Sequence, residues 1–116
     1  MRFTRTVALA AFAGACFLAQ GPSFAAGSPE KGRTAYVKNG CWQCHGYEGQ
    51  GGAAGPKLAP GPMAFDVMEG FIRYTNGAMP PYPKAVLSDA DFADIHAYLV
   101  SIPKAKDYKS IPLLNR

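Results

Sequence analysis

Two cysteines two residues apart and followed at once by a histidine, Cys41-Trp42-Gln43-Cys44-His45, constrain this chain more than any other segment of it. Two thiols and an imidazole within about one turn of backbone admit few uses. The thiols can add to vinyl groups on the rim of a porphyrin with the imidazole beneath the iron. They can also form a thioredoxin-like redox pair, supply half of a zinc site, or close as a simple disulfide.

The count of thiols depends on the N-terminus. Arg2 and Arg5 form a basic start, residues 7–19 are an apolar run, and Ser23-Phe24-Ala25 places small residues where an export signal is cut. Residues 1–25 therefore read as a secretory signal cleaved after Ala25, and residues 26–116 as the mature domain, delivered to the periplasm. The alternative of an uncleaved anchor needs about 20 apolar residues, more than this run provides, so no membrane span is expected in the mature chain. A lipoprotein reading through Cys16 is weaker, because Ala13-Gly14-Ala15 lacks the large aliphatic residue such sites carry. Cys16 leaves with the signal, and Cys41 and Cys44 remain as the thiols of an oxidising compartment, where both need a use.

Charge excludes more than it suggests. Of the 12 basic residues Arg2 and Arg5 leave with the signal, so ten basic side chains face eight acidic ones. The net of +2 carries no nucleic-acid footprint, which requires a clustered basic face. A mature domain of this size buries only roughly 60 to 65% of its unfolded surface and is often marginal without a staple. The chain has 13 glycines and 10 prolines, a composition suited to wrapping around something.

Helical signals punctuate the mature sequence. Ser28-Pro29-Glu30 combines an N-cap, a first-turn proline and an acid at the positive end of the dipole, and the helix it opens should run to Lys38 and stop at Asn39-Gly40. Residues 46–63 are rich in glycine and proline and lack periodicity, which predicts an irregular connection. A phosphate loop is excluded because no Gly-Lys-Ser/Thr follows the glycines and no strand precedes them. Phe65, Met68, Phe71 and Ile72 recur at helical spacing within residues 64–74, with core packing expected for Phe65, Phe71 and Ile72. Ser88-Asp89-Ala90-Asp91 caps a last helix with Phe92, Ile95, Leu99 and Ile102 on one face, ended by Pro103. A tail begins at about residue 104, and its Ile111-Pro112-Leu113-Leu114 is expected to dock on the body. No stretch alternates long enough to form a strand.

That pattern separates the uses of the motif. A thioredoxin-like site needs a preceding strand, and a zinc site needs two more ligands, of which His96 is the only other mature candidate of matching type. Haem attachment is preferred to these and to a simple disulfide because Cys-x-x-Cys followed at once by His is among the more specific short motifs. Around these residues the chain resembles the class I cytochrome c family over nearly all of its mature length. Glu30-Lys31-Gly32 with Tyr36 is similar to the family's first helix, where a glycine and an aromatic allow close crossing by the last. Ala93-Asp94-Ile95-His96-Ala97-Tyr98-Leu99 is similar to that last helix. The resemblance implies an all-α small cytochrome c fold, three to four helices and long loops wrapped around one covalently attached haem c. It assigns Cys41 and Cys44 to the thioethers and His45 to one axial position. Gly55-Pro56-Lys57-Leu58 is similar to the loop in which a proline carbonyl, here that of Pro56, orients the ligand histidine and a leucine, here Leu58, packs on the haem.

For the second axial ligand, spacing leaves Met63, Met68 and Met79 open, with Met68 on an apolar stripe where methionine is more often core. Resemblance of Asn76-Gly77-Ala78-Met79-Pro80-Pro81-Tyr82-Pro83 to the family's methionine loop implies Met79. Arg73 and Tyr82 are candidate donors to a haem propionate, Arg73 being equally readable as a solvated helix residue. His96 is expected to be solvated or partly packed, and Trp42 to occupy a tolerant position between the cysteines.

Histidine and methionine together fill the iron and favour electron transfer over catalysis. The expected role is that of an electron carrier, or the cytochrome subunit of an exported dehydrogenase, passing single electrons to a larger cytochrome or oxidase. A haem peroxidase or gas sensor is the alternative and requires a displaceable methionine.

Overall fold

The computed structural model describes residues 27–115. The expected signal and its cleavage site, with Cys16, lie outside the described residues. Among the described residues four α-helices follow in order, α1 (Pro29–Lys38), α2 (Trp42–His45), α3 (Phe65–Tyr74) and α4 (Asp89–Ser101), then two short 3-10 turns at Tyr108–Ser110 and Pro112–Leu114. No strand occurs among the described residues, in agreement with the all-α expectation.

The ends of α1 are set locally. Ser28 accepts from the Lys31 amide at 3.4 Å, Pro29 starts the first turn, and Glu30 lies at the positive end of the dipole. At the other end Gly40 turns left-handed at φ 75°. Its amide reaches the Val37 carbonyl at 3.1 Å and that of Cys41 reaches the Tyr36 carbonyl at 3.2 Å. This pair of bonds is the glycine-terminated helix stop known as the Schellman motif, and it delivers Cys41 straight into the one-turn helix α2.

α4 is built alike: Ser88 accepts from the Asp91 amide at 3.0 Å, and Ile102 turns extended ahead of Pro103, as a residue before proline must. α1 and α4 cross at Gly32, where a Cβ would collide with the Asp94 carbonyl and come within 2.8 Å of Tyr98 Cβ. Ala35 and Tyr36 of α1 and Phe92, Ile95, Tyr98 and Leu99 of α4 are buried. Tyr98 joins this core from beside the expected stripe because α1 passes over it, its ring centroid 5.7 Å from that of Tyr36. The Ser28 amide adds a 2.7 Å bond to Asp94 Oδ1.

Two expectations are corrected. Phe71 is not core: it is 52% exposed and stands in the wall of a cavity, whereas Ile72 is buried and Phe65 packs partly covered against Phe92 at 5.0 Å. The tail does not dock through its leucines, since Leu113 and Leu114 are 71% and 61% exposed. Asn115 instead curls the tail onto itself by donating to the carbonyls of Tyr108, Lys109 and Ile111.

Candidate haem site

A mostly apolar cavity of about 360 Å³ opens between α2, α3, α4 and the connecting segments. Cys41, Cys44 and His45 stand in its wall together with Pro56, Leu58, Met79 and Tyr82, so seven of the eight residues singled out from sequence converge there. Arg73 does not.

The motif's geometry follows from its single helical turn. The His45 amide bonds the Cys41 carbonyl at 3.0 Å, which puts Cys41, Cys44 and His45 on adjoining positions of one face. His45 is buried, and its Nδ1 lies 2.7 Å from the Pro56 carbonyl oxygen. A carbonyl only accepts, so Nδ1 holds a proton, and the ring nitrogen left to meet a metal is Nε2. Burial pushes the Cys41 thiol up to about 11, the reverse of what a redox-active dithiol needs.

The irregular segment of residues 46–63 brings Pro56 into place. The Gly51 amide bonds the His45 carbonyl at 2.8 Å, and the Leu58 and Ala59 amides share the Gly49 carbonyl at 2.7 and 2.9 Å. The segment lies so close to the motif that a Cβ on Gly55 would sit 3.0 Å from the Cys44 carbonyl and 3.1 Å from His45 Cε1. Tyr36, fully buried, donates its hydroxyl to the Gly46 carbonyl at 2.8 Å and so ties the segment to α1.

All three methionines left open by spacing line the cavity: Met68 buried, Met79 half-buried and Met63 exposed. Ile72, Phe92 and Ile95 complete the apolar wall. Sequence patterning marked them as hydrophobic positions but carried no signal that they bound a cavity.

The donors proposed for a propionate are engaged elsewhere. Arg73 is neither solvated nor a wall residue: it is 8% exposed, and its Nη1 donates to the carbonyls of Tyr82 and Leu87 at 2.8 and 2.6 Å. Its Nη2 donates to Asp89 Oδ1 at 2.8 Å, and the guanidinium lies 5.9 Å from the Phe92 ring centroid. Tyr82 lines the cavity with its ring, while its hydroxyl donates to the Asn39 carbonyl at 3.1 Å. His96 is partly packed, as expected, its ring edge-on to Phe65 and its Nε2 2.9 Å from the Met63 carbonyl. Trp42 has a specific neighbour, stacking on Tyr47 at 4.7 Å between centroids.

Residues 27–99 match the family model described as cytochrome c oxidase, cbb3-type, subunit III. No curated protein and no solved structure matches the chain. The motif-bearing turn, the apolar cavity and a family match that covers most of the sequence lead to one conclusion: the chain belongs to this family of c-type cytochrome domains, electron-transfer proteins with covalently bound haem c.

Proposed function

We propose that this protein is a monohaem c-type cytochrome that works in the periplasm, taking single electrons from a dehydrogenase and passing them to a larger cytochrome or oxidase. The observation that carries the reading is the apolar cavity with Cys41, Cys44 and His45 in its wall and the His45 Nδ1 proton given to Pro56.

The residues present fit haem. A flat hydrocarbon macrocycle needs an apolar slot, two thiols near its rim and a neutral imidazole fixed in one tautomer. In this role Cys41 and Cys44 would hold the haem covalently through thioethers. His45 and Met79 would hold the iron, Pro56 would keep the imidazole oriented, and Leu58 would pack beside it. Bound there, haem supplies a one-electron ferric/ferrous couple.

The protein's own part is to exclude water and competing ligands. The apolar side chains of Ile72, Phe92 and Ile95 in its wall would disfavour water beside a bound haem and so the more highly charged oxidised state, which would raise the potential. Thioethers in the wall, and a Tyr82 hydroxyl already donated to Asn39, offer little to polarise a peroxide, which supports a carrier rather than a peroxidase. No helix among the described residues is long and apolar enough to cross a membrane. The exposed Leu113 and Leu114 support the subunit version of the role, since an apolar tail can cover a partner surface. If the protein purified from its source runs only as a free monomer, that version is wrong.

Expression with haem-attachment machinery tests the chemistry. The mass of one haem should survive denaturation and be lost when both Cys41 and Cys44 are replaced by alanine. The oxidised protein should show a methionine-to-iron charge-transfer band that disappears in Met79→Ala. A high-spin spectrum in the unmodified protein would defeat the carrier reading.

A further inference from the structure

Met79 lies in residues 75–88, which join α3 to α4 without regular structure until a turn in which the Val86 and Leu87 amides reach the Pro83 carbonyl at 2.8 and 3.0 Å. A thioether on such a segment stays where it is only if the segment's base is held. Five contacts hold it: the Tyr82 hydroxyl reaches the Asn39 carbonyl at 3.1 Å, and of the other four, three come from one side chain.

The Tyr82 amide bonds the Ile72 carbonyl at 2.8 Å, bringing the segment back beside the end of α3 three residues after Met79. There the buried guanidinium of Arg73 takes the Tyr82 carbonyl and the Leu87 carbonyl on one nitrogen and the Asp89 carboxylate on the other. It thereby joins the returning arm of the loop, the end of the turn and the first residue of α4. Glu69 Oε1, 3.7 Å from Nε, and the face of Phe92 complete its surroundings.

We infer that Arg73 is the positioning residue of the Met79 loop: its forked contacts to Tyr82, Leu87 and Asp89 hold the thioether at the cavity against competing ligands. The inference rests on the assignment of Met79 to the iron. It also accounts for a charge in the interior of a small domain. A lysine has no planar fork with which to hold two carbonyls and a carboxylate at once, and a glutamine amide, with two N–H donors, cannot serve all three acceptors.

Imidazole titrated into the oxidised holoprotein reports how firmly the thioether holds its place, because it binds only where the thioether has let go. Loss of charged hydrogen bonds at the loop base should tighten apparent imidazole binding at least about tenfold in Arg73→Gln and by a smaller factor in Arg73→Lys. In a Met79→Ala background, where imidazole binding is already tight, Arg73→Gln should change it less than about twofold, because no thioether remains to be positioned. A purely structural arginine would lower stability without this dependence on Met79. Wild-type imidazole affinity in Arg73→Gln, alongside tightened binding in Met79→Ala, overturns the role of Arg73 and leaves the ligand assignment standing. Unchanged binding in Met79→Ala overturns both. Should Arg73→Gln not accumulate as folded holoprotein, Arg73→Lys decides, and wild-type affinity there overturns the inference.

Discussion

Gly32→Ala sets two known effects of one methyl group against each other. Within a helix, alanine is favoured over glycine by about 1 kcal/mol. At residue 32, however, the new Cβ meets the backbone carbonyl of Asp94 and lies 2.8 Å from Tyr98 Cβ. Neither neighbour can rotate aside, so α1 must back away from α4. Overpacking of this kind costs roughly 1 to 3 kcal/mol and sometimes more. The high end applies here because the same displacement strains the Ser28 to Asp94 bond of 2.7 Å and the Tyr36 and Tyr98 packing. Set against the propensity gain, the net loss is about 2 kcal/mol or more. For a domain of this size that corresponds to a fall in melting temperature of roughly 8 to 16 °C. Gly70→Ala is the control. It lies inside α3 with nothing within 4 Å of its added Cβ, so the same substitution should raise the melting temperature by a few degrees. Thermal melts of the two holoproteins by circular dichroism read both signs. A Gly32→Ala protein that melts within about 2 °C of wild type, or above it, would refute the crossing.

Other perturbations probe the supports of the site. Tyr36→Phe strips the Gly46 carbonyl of its 2.8 Å donor and should cost about 1 to 3 kcal/mol in denaturant unfolding, with an unchanged m value. Ser88→Ala removes the N-cap of α4 and should cost about 1 kcal/mol by the same assay. Lys84, at 2.7 Å, and Arg73 hold the Asp89 carboxyl below the ordinary carboxylate range. A carboxyl depressed in the folded state stabilises above its unfolded value of about 4 and loses that contribution as pH falls through the lower folded value. Stability measured against pH should therefore decline less on the acid side in Asp89→Asn than in wild type.

How far the sequence could be read depended on how far apart the interacting residues stand. The caps at Ser28 and Ser88, the stop at Gly40 and the face shared by Cys41, Cys44 and His45 all arise between residues at most five apart, so the local order of side chains decided them. The hydrogen bond from His45 to Pro56 spans 11 residues across an irregular segment; resemblance pointed to it, and no local rule did. Arg73 shows the limit most clearly. From its neighbours it was a propionate donor or a solvated helix residue, because its acceptors at Tyr82, Leu87 and Asp89 lie nine to 16 residues further on. Phe71 kept helical periodicity yet faces the cavity, and Tyr98 is buried because α1 crosses over it. The sequence by itself determined where α1 and α4 begin and end and which residues can grip a haem, since those properties belong to short stretches of chain. Which apolar side chains wall the cavity, and which carbonyls receive the buried arginine, were decided only when α1, α3 and α4 packed, because burial and long-range hydrogen bonding depend on what returns to lie alongside.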